Sequence, residues 1–403
     1  MHFVGIDWAD QHHDICVLAE DGRVVTRPKI QNDLTGFQQL NAVLRSLAPV
    51  RVSIERPDGL LVDYLLEQGW DLYMIPPRAT AAKRGRRAKH DQRDAQLLAN
   101  LLRTDDPECR PLSRSTPLVL HLKHKVRTFD QLQQDRQRYT NRLVHALKLY
   151  YPVMIGLFRY IYQPMTLDFL QRFPDPQSLQ DLSLPEFTAF FDGRRYSSRD
   201  KIPAMYAKLQ APAPAAADVE GCRFNMLNQV TLLQAINNQL LPLEKEITQR
   251  FKQHPEADWW AHFPGVGPLT AARLLVYVGD NRQRFPSYQI LQATAGTVPI
   301  TQQSGRRSKA MFRNECSKPL RRTVTDWARN SLKSSAWAKA YYAQQRARGH
   351  EYERCYRALA NRWVRVFWTL WQSGDYYDAK IHEGHSRLLN KKVVSLGQAE
   401  RAS

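Results

Sequence analysis

The chain is poor in cysteine, and the little it has is scattered. Cys16, Cys109, Cys222, Cys316 and Cys355 are the only five in 403 residues, and no two form a Cys-x-x-Cys pair. That spacing argues against a zinc cluster and a disulfide framework and fits a reducing, cytoplasmic setting. Long apolar runs are missing too. Nothing approaches the ~20 consecutive apolar residues that span a bilayer, and the N-terminus lacks a signal-peptide pattern, so no membrane partner is expected. Acids are also short, with 39 Asp and Glu against 58 Lys and Arg, for a net charge of +19. Such a surplus points to a polyanionic partner, because phosphates neutralised by Lys and Arg release condensed counterions. Between residues 301 and 370 the imbalance is steepest, 16 basic residues to four acidic. The charge is therefore a footprint more than a diffuse coat.

What is present reads as a mixed α/β region followed by helices. HFVGID is a short strand, DICVLAE and GRVVTRPKI a hairpin turning at Asp21-Gly22, and LTGFQQLNAVLRSL a helix. VRVSIE, GLLVDYLLEQG, WDLYMIPP and RDAQLLANLLR then alternate strand, helix, strand, helix. Three strands followed by that alternation predict a mixed sheet covered by helices over residues 1–110. Residues 111–257 hold two long amphipathic stretches, 116–150 and 224–251, that predict an antiparallel coiled-coil-like pair or an ordinary core pair. Pro242 is expected to kink or interrupt the second. Between them, 152–221 carries eight prolines and reads as an insertion with short helices, ending in the linker-like APAPAAADVEG. Residues 258–375 form a mostly helical, basic C-terminal domain, and 376–403 a tail without periodicity and expected to be flexible.

Four carboxylates stand out within this frame. Asp7 closes the first strand and Glu55 closes VRVSIE, so both reach one edge of the sheet. Asp91 and Asp94 lie three apart, on one face of the last helix. Converging acids repel unless a cation joins them, and a few hard oxygen ligands suit magnesium. Asp10, Asp14 and Asp58 read as surface or capping residues. The neighbouring basic run contributes Lys83, Arg84, Arg86, Arg87 and Lys89, able to draw phosphate toward such ions.

The second constellation lies about two hundred residues on. FPGVGPLTAARLL resembles a helix-hairpin-helix whose Gly265 and Gly267 let the backbone approach a phosphate at a helix start. Ser304 precedes a glycine and the cations Arg306, Arg307 and Lys309, with Arg313, Arg321 and Arg322 further on. Clustered cations stabilise charge in phosphoryl transfer, but no His–Asp pair lies close in sequence to activate the hydroxyl. Read by chemistry alone, Ser304 is a loop serine, with Ser308 and Ser317 as rivals. Trp363, Phe367, Trp368 and Trp371 recur at helical spacing, which favours core or an oligomer interface over base stacking.

VGIDWAD with its hairpin, IERPDG and KHDQRDAQLLANLL, together with FPGVGPLTAARLLVYVGD, RFPSYQILQATAG, QQSGRRSK and LRR, resemble the DEDD-type insertion-sequence transposases of the IS110 family. The resemblance covers most of the chain. It implies an RNase H/RuvC-like domain with Asp7, Glu55, Asp91 and Asp94 as ligands of two magnesium ions, manganese being a substitute. It implies Ser304 as the nucleophile of a bridge-RNA-guided recombinase that forms a phosphoserine intermediate. The implied partners are donor and target double-stranded DNA, a structured noncoding guide RNA, and further copies of the chain as a dimer or tetramer. Two departures stand out. AGTVPITQQSG replaces the usual Gly-Leu-Ala-Pro before the serine, and Cys316 stands where glycine is common. Open alternatives are a DNA invertase of the same family, a RuvC-like nuclease using metal alone, and a non-enzymatic nucleic-acid-binding protein.

Overall fold

The computed structural model describes residues 1–84, 91–104, 109–112, 115–194, 196–211, 216–304 and 307–380. For residues 78, 82, 84, 110, 302–304 and 307–309 it describes the backbone alone. The chain forms two compact units. The first joins Met1–Pro117 to Gly279–Ala293 and Val364–Asp375, and the second holds the remainder.

The first unit is built on β1 (His2–Asp7), β2 (His12–Leu18), β3 (Val24–Thr26), β4 (Lys29–Gln31), α1 (Leu34–Ser46), β5 (Val50–Ile54), α2 (Leu60–Glu67), β6 (Leu72–Met74), α3 (Pro77–Arg84), α4 (Asp91–Arg103) and β7 (Arg110–Pro111). The strands order as β3-β2-β1-β5-β6-β7, and β4 also pairs with β2. β1 runs antiparallel to β2 and parallel to β5, so the sheet is mixed as expected. The second arm of the predicted hairpin is two strands, both paired to β2. Pro28 lies between them, and a proline cannot donate to a ladder. β7 was not anticipated; two residues are too few to leave a pattern.

Alternation sorts the sheet's faces. Val4, Ile6, Ile15, Val17, Val52 and Ile54 pack with α1 and α2 through Phe37, Leu40, Leu44, Leu61 and Leu65. The opposite face carries Cys16 and Leu18 against Ala95 and Ala99 of α4. Gly5 lets α4 come this close: a Cβ there would lie 2.0 Å from the Ala95 carbonyl oxygen and 2.5 Å from the Ala99 nitrogen. The later segments join by hydrogen bonds within the same unit. Thr116 N–H donates to Asp280 at 3.2 Å, Arg282 Nε to the Trp371 carbonyl at 2.6 Å, and Trp368 Nε1 to the Phe285 carbonyl at 2.7 Å.

The second unit contains α5 (Pro117–Tyr150), α6 (Pro164–Arg172), α7 (Leu184–Ala189), α8 (Ile202–Leu209), α9 (Val219–Phe251), α10 (Ala257–Ala261) and α11 (Pro268–Val278). After α12 (Tyr288–Thr294), nearly all of which belongs to the first unit, come β8 (Ile300–Ser304), β9 (Arg307–Met311), α13 (Lys318–Ser331), α14 (Ala336–Ala347) and α15 (Tyr352–Ser373), whose residues from Val364 on belong to the first unit. α5 and α9 are antiparallel. Lys125 near the start of α5 pairs with Glu246 near the end of α9 at 2.7 Å, while Leu143, Leu147 and Tyr150 share a core with Met226, Val230 and Leu233. Pro242 does not interrupt α9. It and Asn238, whose carbonyl loses its partner, are both exposed, so water satisfies what the proline removes. The 152–221 insertion has the short helices expected of it and a dense aromatic core, in which Phe169 meets Phe173, Phe187 and Phe190 at centroid distances of 4.9, 5.8 and 5.2 Å.

A buried charge pair holds the second unit's interior. Arg273 on α11 reaches Asp130 on α5 at 2.8 Å and Asp326 on α13 at 3.7 Å. Tyr277 donates its hydroxyl to Asp130. Burial, then the Asp130 carboxylate, raises the Tyr277 phenol above its ordinary range. Trp327 and Trp363 pack with rings tilted and centroids 5.0 Å apart, and Trp363, Phe367 and Trp371 are buried while Trp368 is half-buried, so the core reading fits three of the four C-terminal aromatics.

Candidate active site

The register of β1 and β5 brings the first two acids together. Ile6 pairs with Ile54, so Asp7 and Glu55 follow as neighbours at the carboxyl ends of adjacent parallel strands. With a period of two, both occupy the face of Gly5, the face that α4 covers. Asp94 sits in the first turn of α4 one residue before Ala95, and is only 4% exposed. Asp91 opens the same helix and is exposed. Two acids in a first turn also suit the positive end of the helix dipole.

Several residues that the sequence did not flag organise this edge. The Thr80 hydroxyl on α3 lies 2.8 Å from Glu55 Oε1 and donates to it. Arg56 stacks over Trp8 at 4.1 Å, tying the turn after β5 to the turn after β1. His13 is fully buried, and its Nδ1 accepts from Ala9 N–H at 3.4 Å. That leaves Nε2 as the proton-bearing nitrogen facing Asn32 Oδ1 at 3.1 Å, and Asn32 in turn donates to the Asp10 carbonyl at 3.0 Å. The loop following Asp7 is thus latched to β2 and to the turn after β4. Burial pushes the His13 imidazole below its ordinary pKa of 6.5.

Asp14 corrects the sequence reading. It is 6% exposed, pairs in register with Asp7, and shares the face of Cys16 that α4 covers. His12 lies 3.8 Å from its carboxylate. The alternation of Asp14, Cys16 and Leu18 along β2 already carried this signal. Asp10 is exposed as expected.

Among the described residues, no three His, Cys, Asp or Glu side chains converge closely enough to hold a metal ion as they stand. The donor set nevertheless fits a hard divalent cation. It is all carboxylate oxygen, drawn from two strand ends and one helix, and a buried carboxylate such as Asp94 calls for hydrogen bonds, a paired charge or a metal. Of the basic run beside it, Lys83 is exposed on α3, while the Arg84 side chain, Arg86, Arg87 and Lys89 lie outside the described residues.

In the second unit, Ser304 ends β8 and pairs across the hairpin with Arg307. The side chains of Ser304, Arg307, Ser308 and Lys309, and all of Arg306, lie outside the described residues. Ser317 is the N-cap of α13, accepting from Leu320 N–H at 3.3 Å, which gives it a structural role. FPGVGPLTAARLL supplies the turn after the five-residue α10 and most of α11, so only one of the two expected helices lies within it. Gly265, at φ +78°, is required by packing: a Cβ would lie 2.4 Å from Ser331 N. Gly267 faces open space just before α11. Arg321 is a bracket; it donates to the Arg313 carbonyl at 2.7 Å, touches Cys316 Sγ and stacks on Phe312 at 4.3 Å. Arg313 is half-buried and donates to the Val298 carbonyl at 3.4 Å, and Arg322 is exposed.

Known sequences give this geometry its context. Residues 4–152 match the DEDD transposase family of the IS110 type, and residues 260–343 match the family described as Transposase IS116/IS110/IS902. The IS117 mini-circle protein of Streptomyces coelicolor is 30% identical over 395 residues, covering 93% of this chain and 95% of the relative. The IS116 protein of Streptomyces clavuligerus is 24% identical over 379 residues, covering 91% and 94%, and the IS900 protein of Mycobacterium paratuberculosis is 24% identical over 386 residues, covering 91% and 95%. No helix among the described residues is long and apolar enough to cross a membrane. The chain belongs to the IS110/IS116 family of insertion-sequence transposases, enzymes that cleave and rejoin DNA.

Proposed function

We propose that this transposase exchanges DNA strands through a phosphoserine intermediate at Ser304, with the carboxylate edge of the first unit as its divalent-metal site and a structured noncoding RNA choosing the sequences. The observation that carries the acid half is the β1–β5 register together with the close seating of α4 on Gly5, which gathers Asp7, Glu55 and Asp94 at one edge. An RNase H-like reading of the sheet is supported by an antiparallel β1–β2–β3 meander continuing into parallel β5 and β6.

Asp7, Glu55, Asp91 and Asp94 would hold the ions, magnesium with manganese as a substitute, which supply Lewis-acid stabilisation of phosphate charge. Thr80 keeps Glu55 oriented, and the His13–Asn32 latch fixes the loop beyond Asp7. At the other constellation the Ser304 hydroxyl gives up its proton, its Oγ bonds to phosphorus, and a DNA oxygen leaves. A hydroxyl of the partner strand reverses the step, rejoining DNA and freeing the serine. Arg306, Arg307 and Lys309 offset the charge of the phosphate under attack, and Gly267 leaves the start of α11 open to a neighbouring phosphate. The site is completed between copies in a dimer or tetramer, the acids of one meeting the serine of another. Base pairing reads sequence while the protein reads backbone and shape.

Recombination between donor and target plasmids, with the element's flanking noncoding RNA supplied, tests this reading. Asp7→Ala and Ser304→Ala should each abolish recombination and leave DNA and RNA binding intact. Near-normal recombination by either variant removes the role given to that residue, and metal-dependent cleavage that survives Ser304→Ala points to a nuclease that uses water.

A further inference from the structure

The second unit contains a cavity of about 660 Å³ at the open end of the β8–β9 hairpin, between the Gly296–Pro299 segment, the end of β9, α14 and α15. We propose that it receives a single unstacked nucleotide, base and phosphate together, from a strand running along the hairpin. A water takes about 30 Å³ of liquid, so the space exceeds what a bare phosphate needs and lies within the range of pockets that enclose whole small ligands.

The lining suits both halves of a nucleotide. Arg313, Arg354, Arg357 and Arg362 border the cavity, and among the described residues none that line it is Asp or Glu. Three of these arginines, at positions 354, 357 and 362, come from α15. A flat ring complements them. The Arg362 guanidinium lies over Tyr341 at 5.1 Å, whereas Phe312 already carries two guanidinium groups, Arg357 at 5.0 Å and Arg321 at 4.3 Å, and serves to hold those arginines. An aromatic ring backed by a guanidinium is a ready stacking surface for a base of any identity. Gln345, 8% exposed, and the Thr297–Asn361 pair, bonded at 2.8 Å, add amide and hydroxyl groups of the kind that bind base edges.

Position gives the cavity its role, and this step rests on the reading of Ser304 as nucleophile. The cavity borders the start of β8, and Ser304 is at its far end. Four strand steps at about 3.3 Å span ~13 Å, which is roughly four nucleotides of a stacked strand. The bound nucleotide would anchor the strand that presents its phosphate to Ser304.

The test uses the full-length chain and short single-stranded probes bearing 4-thiothymidine, one of DNA and one of RNA, plus a DNA probe with the same phosphates but no bases. Photocrosslinks mapped by mass spectrometry should fall on Tyr341, and the more strongly linked probe identifies the source strand. Tyr341→Ala should weaken the base-bearing probes about tenfold relative to the abasic one, Tyr341→Phe should restore them, and Arg362→Gln should weaken all three. Crosslinks confined to other surfaces, or an unchanged base-to-abasic ratio in Tyr341→Ala, overturn the proposal. The readout needs no cleavage and is repeated in Ser304→Ala. If the serine reading alone is wrong, the crosslinks persist in both backgrounds and wild type forms no phosphoserine adduct.

Discussion

At the residue scale, Gly5 shows how the candidate site is set by contacts made elsewhere. Asp7 and Asp94 can share an edge only if α4 lies directly on β1, and a methyl at position 5 would collide with the α4 backbone. Gly5→Ala should therefore cost about 3 kcal/mol, read as a lowered denaturation midpoint, and should reduce DNA cleavage even where the variant stays folded. His13 makes a second prediction with a definite sign. Its imidazole is held below 6.5 in the folded chain by burial, so the unfolded chain binds the proton more readily. Stability is fully present above pH 6.5 and declines as pH falls from there through the folded-state pKa. His13→Gln should flatten that decline in a denaturation series between neutral and mildly acidic pH. Asp130 and Arg273 are 3% and 8% exposed. Asp130→Ala leaves Arg273 with only its longer contact to Asp326 and Tyr277 without its acceptor, so it should destabilise the second unit by about 3 kcal/mol, measured by chemical denaturation.

At the scale of elements, legibility followed periodicity. α5, α9 and α15 announce themselves because Leu143, Leu147, Leu233, Trp363, Phe367 and Trp371 recur at three-to-four spacing, and those side chains are the buried ones. β1 and β5 are legible as short apolar runs ending in an acid. The β8–β9 hairpin is not. Ile-Thr-Gln-Gln-Ser has no alternation of apolar and polar residues by which a strand could be read. The insertion's short helices are legible despite its prolines. Pro164, Pro185 and Pro203 occupy first-turn positions of α6, α7 and α8, where a missing N–H costs little. Asp14 was misjudged as a surface acid because its type outweighed its place in a strand whose same-face neighbours are Cys16 and Leu18. Thr80, Arg56 and the basic cavity left no sequence signal, since each depends on elements brought together by the fold.

At the scale of the whole molecule, the charge surplus has a measurable consequence. A chain with net charge +19 and its densest basic stretch around the hairpin should bind DNA with affinity that falls steeply as salt rises. Neutralising Arg306, Arg307 and Lys309 together should lower the slope of log affinity against log salt by about 3, with little change in sequence preference. Titrations at several salt concentrations check this, and an unchanged slope would place the phosphate contacts elsewhere.

The most direct test of the central claim is a denaturing gel of the transposase after incubation with magnesium, labelled donor DNA and its noncoding RNA. Wild type should form a protein–DNA adduct, with peptide mapping placing the phosphodiester on Ser304, and Ser304→Ala should form none. Magnesium-dependent strand cleavage without any adduct, or an adduct that persists in Ser304→Ala, would contradict that claim.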